Sequence, residues 1–425
     1  MNVNSKIYLT FRALQHRNYR LFFFGQCISL TGTWIQQIAI SWLVYTLTKS
    51  ALLMGIITFA GSIPSLVVSP FAGVFIDRIN KYHALVIIQV FFMIEAFILA
   101  ILTITGIINI WYIIILGVFI GITNAIDMPL RQSFIIQLVE DSRDLGNAIS
   151  LNSSMFNLAR LIGPAIAGVL IALVGEGICF LINAVSYIAV IWALLAMKIN
   201  SVTVKKTAGI NIFQEFNEGF KYVLNSMPIR NIILYMATAS FAGMSYMVIL
   251  PIFAKEIIHG DSQTLGFLMS SSGIGALFGA LYLASKKSVS GLEKWICIAS
   301  LLFGAGLIGL AFTAKVWISL ILMLIIGFGT VTVIASCNTL IQHFVDDNKR
   351  GRVMSLYTVA FMGTAPFGCL CEGAVANKIG VPFTFLLNGL IIIIAALIFS
   401  TKLKCFSAKP ESIELNDESS YAPVH

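Results

Sequence analysis

Twelve runs of apolar residues divide this 425-residue chain, at roughly 20–46, 51–76, 84–105, 109–129, 148–174, 178–197, 230–254, 264–284, 295–313, 316–339, 353–376 and 381–401. A run of about 20 apolar residues is what a helix needs to cross the hydrocarbon core. In that core each backbone polar group must find its partner inside the protein, which leaves helices or closed barrels as the spanning structures. Runs of this length read as helices, so the expected fold is an all-α membrane protein with twelve transmembrane helices. Composition agrees: 58% of residues are hydrophobic and 11% are charged, against about 25% charged in soluble domains.

The net charge of +8 might point to nucleic acid, but its distribution does not. The charged segments are 77–83, 130–147, 198–229, 285–294, 340–352 and the two termini. Of 27 Lys and Arg residues, only Lys49, Lys255, Lys315 and Lys378 fall in the alternate linkers. That is the positive-inside pattern, and it puts both termini in the cytoplasm. The first 19 residues are polar and basic, and the run after them is too long for a signal-peptide core, so no cleavage is expected. The seven cysteines (27, 179, 297, 337, 369, 371, 405) form no CxxC pair, so neither disulfides nor a metal site is expected.

The longest linker separates six spans from six. The expected organisation is a six-helix half over 1–197, a linker over 198–229, a second half over 230–403 and a disordered tail over 404–425. Within the linker, Ile212, Phe213, Phe216, Phe220, Val223 and Leu224 share one helical face, with Glu215, Glu218 and Lys221 elsewhere. This reads as an amphipathic helix on the cytoplasmic membrane surface.

The chain also repeats. Residues 137–151 align without a gap on 342–356, with Gln137/Gln342, Asp141/Asp346, Gly146/Gly351, Ser150/Ser355 and Leu151/Leu356 identical. In the same register Gly163 meets Gly368 and Gly168 meets Gly373. A repeat of six spans enters the membrane twice in the same direction, so the halves are parallel repeats. They differ where Arg160 meets Ala365 and Pro164 meets Cys369, which places the chemistry in the first half. Arg160 lies inside the apolar run from Ile149 to Val174. A charge there costs roughly 2.5–3.5 kcal/mol on insertion scales, so it should face a polar cavity. Ala159, Gly163 and Ala167 offer a small-residue face for a neighbouring helix, and Pro164 should let the helix bend.

At this point the chain resembles the major facilitator superfamily over nearly its whole length. Gly73-Val-Phe-Ile-Asp77-Arg78-Ile-Asn80-Lys81 resembles the loop signature G-x-x-x-D-R-x-G-R between spans two and three. Asn80 stands where glycine is usual and Lys81 where arginine is usual. Gly163-Pro164-x-x-Ala167-Gly168 resembles the antiporter signature of span five, with Ala159 and Ala167 in place of glycines. Met128-Pro-Leu-Arg131-Gln, Asn147-Ala-Ile-Ser-Leu-Asn152 and Arg350-Gly-Arg-Val-Met354 are similar to a drug-efflux branch that includes macrolide and enterobactin-type siderophore exporters.

The resemblance implies proton-driven export across the bacterial cytoplasmic (inner) membrane. The cargo would be an amphiphilic small molecule, a siderophore or a drug-like compound. It also implies a gating latch of Gly73, Asp77, Arg78, Lys81, Asp127 and Arg131, with Asp77 at the N-terminus of span eleven near Val353 and Lys81 pairing with Asp127. For proton coupling the candidates are Glu95, Asp127 and Glu372, with Glu95 ranked first and Asp127 second. Glu372, near the outer end of span eleven, is expected at the headgroup surface. Polar and aromatic positions on apolar helices give a candidate cavity of Gln26, Thr33, Gln37, Asn124, Asn157, Arg160, Tyr246, Asn338, Tyr357 and Phe361.

Other classes fare worse. There is no HExxH, no GxSxG and no GxxxxGK[ST], which leaves no catalytic, metal or nucleotide motif. No cofactor and no nucleic-acid partner is expected; protons, the bilayer and a small molecule are, for a monomer. A lipid flippase or a transport-dead receptor on the same fold is the alternative, since a fold alone does not choose. The topology has a direct test. In a variant without native cysteines, a membrane-impermeant maleimide added to intact cells should label Glu176→Cys and not Lys206→Cys.

Overall fold

The computed structural model describes residues 11–76, 79–139, 141–198, 212–286, 288–289 and 291–402. Asp77, Arg78, most of the first part of the 198–229 linker, Cys405 and the 404–425 tail lie outside these. Among the described residues the chain is all helix. The spanning elements of the first half are α1 (Arg17–Thr48), α2 (Ala51–Ile76), α3 (Lys81–Ile104), α4 (Ile110–Leu138) and α5 (Leu145–Leu195). The linker helix α6 (Ile212–Asn225) follows. The second half has α7 (Met227–Thr238), α8 (Ser262–Ala284), α9 (Leu292–Ala311), α10 (Val316–Phe344), α11 (Arg350–Ile379) and α12 (Val381–Thr401).

Eleven of the described helices are long and apolar enough to cross a membrane, and the count reconciles with twelve apolar runs at α5. Its 51 residues would measure about 75 Å if straight, against a core of about 30 Å. The helix is broken at Gly175, whose φ of 81° and ψ of 170° are non-helical. Its arms, 145–174 and 176–195, are two spans. Gly175 tolerates the positive φ because it has no Cβ. At Pro164, where a bend was expected, the backbone stays helical.

The repeat seen in sequence is a repeat in space. The short turn Ser142–Asp144 precedes α5, and Asp347–Lys349 precedes α11. Both turns, and the helix starts Leu145 and Arg350, keep the register that pairs Gln137 with Gln342. The same register carries Gly175 onto Gly380, which ends α11 at φ 83° and ψ 163°. Two copies of one hinge therefore separate spans five from six and eleven from twelve.

The halves meet along α2 with α11 and α5 with α8. A Cβ on Gly168 would sit 2.6 Å from the Ser262 carbonyl and 3.2 Å from Gly266 Cα. On Gly55 it would sit 2.6 Å from the Cys369 carbonyl and 3.2 Å from Gly373 Cα. Backbones this close pack without side chains between them, which is how helices associate where no hydrophobic drive exists. Gly168 and Gly373 are themselves repeat partners, so the two seams are equivalent.

Helix starts are chemically marked. Asn80, the departure from the loop signature, caps α3: its Oδ1 accepts from the backbone N–H of Tyr82 at 3.1 Å and His83 at 3.3 Å. Asn109 caps α4 and Asp261 makes a capping box on α8. Trp111 and Trp317, 72% and 79% exposed, begin α4 and α10 as interfacial aromatics do.

The seventh span is not the regular helix its apolar run implies. After α7 come a wide π turn at Ala239–Gly243, a tight 3₁₀ turn at Met244–Val248, a helical turn at Leu250–Ile252 and another π turn at Phe253–Ile257. Gly243 lets this backbone lie against the Phe303 ring, which a Cβ would meet at 2.6 Å. The linker helix α6 docks on the second half: Arg352 donates to Glu218 at 2.5 Å and Tyr222 to Asp346 at 3.1 Å, with Lys349 over the Tyr222 ring.

Within the second half, Gly327 abuts the Ser272 carbonyl so closely that any Cβ overlaps it. Gly327→Val should therefore destabilise the protein by about 1–3 kcal/mol, read as a lower Tm of the purified protein in detergent. Gly351→Ala, where a Cβ meets nothing within 4 Å, should leave the Tm unchanged.

Candidate functional site

Two polar groupings lie inside the apolar bundle. The first is enclosed by α1, α3, α4 and the second arm of α5. Asn183 donates to Gln36 at 2.7 Å, and Gln36 donates to Glu95 at 2.9 Å. A turn or more away, Gln89 donates to Asp127 at 3.1 Å, Arg131 pairs with Asp127, and Arg131 also donates to Gln26 at 3.0 Å. Gln26, Gln89, Glu95, Asp127 and Asn183 are all less than 5% exposed. Tyr187 lies between the two carboxylates, stacked on Phe92 at 5.7 Å with its hydroxyl 3.2 Å from Thr33 Oγ1. Both Glu95 and Asp127 act on it electrostatically. The Asp127 charge is tolerated here because Arg131 pairs with it.

The second grouping lies where the halves meet. Arg160, on the first arm of α5, is half-buried, and Gly273 of α8 packs on the backbone of Arg160 and Leu161. Among the described residues its guanidinium has no hydrogen bond or ion pair. Tyr246, 1% exposed, comes from the irregular seventh span; its hydroxyl is 3.3 Å from Ser272 Oγ, and Arg160 is an electrostatic neighbour. A forked cation without a partner, beside a tyrosine, can take a carboxylate or another anion.

The other candidate residues distribute unevenly. On α1, Thr33 and Gln37 are exposed one turn apart, while Gln36 between them is the buried member that holds Glu95. Asn124 is exposed on α4, and Asn157 is half-buried with its amide donating to the Ser153 carbonyl at 2.9 Å. Asn338 accepts from Gln342 at 2.5 Å. Tyr357 gives its hydroxyl to the Ile334 carbonyl at 3.2 Å and stacks on Phe361. Tyr357 and Phe361 thus line the second half as packed walls. Gln26, proposed for the cavity, is spent on Arg131.

For the latch, Gly73 lies in the last turn of α2, and Asp77 and Arg78 lie outside the described residues. Lys81 opens α3, half-buried, and Val353 is fully buried at the start of α11. Asp127 is occupied by Arg131 and Gln89, and no ion pair joins it to Lys81 among the described residues. The reason is spacing: Arg131 follows Asp127 by one helical turn and reaches it without any helix moving. Glu372, expected at the headgroup surface, is enclosed by protein. It lies seven residues before the end of α11 at Ile379, about 10 Å down the axis. It is 4% exposed and accepts from Asn388 at 3.0 Å. Sequence reasoning missed Gln36, Gln89, Asn183 and Asn388. The only available signal was an amide in an apolar run, and its direction depends on helix rotation.

Outside the spans, Arg143 hydrogen-bonds Asp141 in the turn before α5 and holds that carboxyl at about 2. Among the described residues no group of His, Cys, Asp and Glu is arranged to hold a metal.

A helical bundle of two parallel repeats meeting at small-residue seams, with buried polar groups between helices, is the architecture of a major facilitator transporter. Residues 9–420 match the family described as transmembrane secretion effector, and the chain belongs to that family of the major facilitator superfamily. It is a multi-pass membrane transporter, not an enzyme. The staphyloferrin A transporter of Staphylococcus aureus is 30% identical over 390 residues, covering 89% of this chain and 95% of that protein. Macrolide efflux protein A of Streptococcus pyogenes is 23% identical, covering 90% and 96%. The multidrug efflux pump Tap of Mycolicibacterium fortuitum is 23% identical, covering 86% and 91%. Among solved structures, a bacterial homologue of the iron transporter ferroportin in an inward-facing state matches with TM-score 0.69 at 15% identity, covering 91% of this chain and 99% of that one. That likeness is one of fold.

The Asp127–Arg131 pair has a clear energetic signature. Breaking a buried pair from one side leaves a bare charge and costs about 3–5 kcal/mol. Arg131→Gln alone should therefore lower the Tm strongly. Adding Asp127→Asn should restore much of the loss, since contacting residues are not additive. A loss in the double variant equal to the sum of the two single losses would mean that the two side chains act independently.

Proposed function

We propose that this protein exports an amphiphilic, anionic small molecule from the cytoplasm by proton antiport with alternating access. The observation that carries the reading is Arg160: a permanent cation within a spanning helix, at the contact between the halves, without a protein anion. An unpaired guanidinium in that position has to be offset by water or by cargo, and its fork suits a carboxylate. The relatives named for staphyloferrin A and for macrolides support a siderophore or a drug-like cargo, and the anionic site favours the siderophore.

Glu95 is the coupling carboxyl proposed for the first half, with Asp127 beside it. Glu95 hangs on one amide chain from Asn183 through Gln36, while Asp127 is neutralised by Arg131 and is better suited to holding α4 in register. Thr33, Gln37, Asn124 and Asn157 offer polar surface on helices of the same half. The close backbone approaches between the halves, at Gly55 with Gly373 and Gly168 with Gly266, lie at the end remote from the basic loops. This suits a cavity entered from the basic side. Under the positive-inside pattern that side is the cytoplasm, with both termini and α6 there. The latch around Gly73, Asp77, Arg78 and Lys81 would then close the basic end, and a single chain would suffice for transport.

The test is pH-gradient-driven uptake of staphyloferrin A, and separately of a macrolide, into proteoliposomes. Arg160→Lys should reduce staphyloferrin A uptake by about tenfold, because a point charge replaces a bidentate fork, and each lost charged hydrogen bond is worth about 1.5–3 kcal/mol. Arg160→Ala should abolish it, with both variants keeping the wild-type Tm. Normal uptake by Arg160→Ala would overturn the anionic site, and a collapsed Tm would make the residue structural.

A further inference from the structure

The repeat isolates one group that packing does not require. Glu372 occupies the place in α11 that Ala167 occupies in α5, in the register that pairs Gly168 with Gly373. Ala167 is 0% exposed there, so the equivalent seam closes with a methyl group alone. In α11 the same place carries a carboxyl, between the two residues that rest on Gly55 of α2, Cys369 and Gly373.

The surroundings of this carboxyl are sparse. One oxygen, Oε1, accepts from Asn388 of α12 at 3.0 Å. The other, Oε2, is buried and has no hydrogen-bond partner. No cation pairs with it among the described residues. On its own helix the flanking residues Cys369 and Gly373 rest on Gly55 of α2, which cannot titrate. The titratable groups it acts on electrostatically are Tyr246 of the seventh span, which also feels Arg160, and Cys369. Buried polar groups in native proteins are nearly always bonded, and an unbonded one marks a task other than packing. A lone carboxylate without water is far costlier than the neutral acid, and such a group takes up a proton instead. In this conformation the oxygen is enclosed by protein, one residue from the Gly55–Gly373 approach.

We propose that Glu372 is a second proton-carrying carboxyl, in the half opposite Glu95, whose access to water is opened and closed by the α2–α11 seam. With the seam shut the acid is neutral and held by Asn388. When Gly55 parts from Cys369 and Gly373, water reaches Oε2 and the proton exchanges there. The electrostatic path to the cargo site runs through Tyr246, which lies within reach of both Glu372 and Arg160. This rests on the exporter reading for its use, but not for its first test.

That test is infrared spectroscopy of the full chain in liposomes, titrated with pH and without cargo. A carboxylic C=O stretch that vanishes as pH rises should be present in wild type and in Glu95→Gln, and reduced or absent in Glu372→Gln. Glutamine keeps the acceptor for Asn388, so this change should not lower the Tm. An unchanged band in Glu372→Gln, or no titrating band in wild type, overturns the proposal. In transport, Glu372→Gln should lose pH-driven accumulation of staphyloferrin A by on the order of tenfold, the scale of a typical coupling. It should keep exchange of labelled for unlabelled cargo at equal pH. Driven accumulation at the wild-type rate would also overturn the proposal. If the wild type moves neither staphyloferrin A nor a macrolide, the exporter reading fails while the infrared result still decides Glu372.

Discussion

Two backbone-to-backbone approaches hold the halves of this protein together: Gly168 on Gly266 and Gly55 on Gly373. Inside lipid, water cannot drive helices together, so close van der Waals contact and hydrogen bonds across helices must do it. Both seams lie toward one end of the bundle, and both belong to the internal repeat. Much else follows from them. Small residues at the seams let Arg160 and Tyr246 stand near the join without large side chains between the helices. The seams add a few side-chain contacts to the glycine approaches: Phe59 lies edge-on to Phe367 at 5.3 Å across α2 and α11, and Ser262 donates to the Gly168 carbonyl at 3.0 Å.

Polar groups inside the bundle divide into those that hold and those that are left open. Asp127 has Arg131 and Gln89, and Arg131 has Gln26, which makes a network that fixes helix rotation. Among the described residues Arg160 has no protein anion, and one oxygen of Glu372 has no donor. The proposed cargo contact and second proton site sit on these two open groups.

The irregular seventh span fits the same division. Its π and 3₁₀ turns between Ala239 and Ile257 break the ordinary ladder where Tyr246 has to reach between Ser272 and the join. Such bulges inside helices occur often at functional sites. Here the bulge puts a tyrosine in reach of a cation from one half and an acid from the other.

The sequence by itself determined the number and order of the spans, the repeat and the family. Lipid allows only self-satisfied segments, and hydropathy writes those directly into composition. The repeat register was readable down to the turn before each repeat helix, because Gln137, Asp141 and Gly146 each recur at a fixed interval. Helix rotation was not readable. Gln36 and Gln37 are neighbours about 100° apart on one helix, and only packing against α3 and α5 decides that Gln36 holds Glu95 while Gln37 is exposed. Burial was misjudged for the same kind of reason: Glu372 lies near the end of its run, yet it is enclosed and bonded to Asn388 of α12. The break at Gly175 falls in the gap that hydropathy left between the runs 148–174 and 178–197, whereas at Pro164, where a bend was expected, the backbone stays helical. Which buried charges are paired, Asp127 with Arg131 and Arg160 with none, is a fact of three-dimensional distance. The tertiary structure alone could decide it.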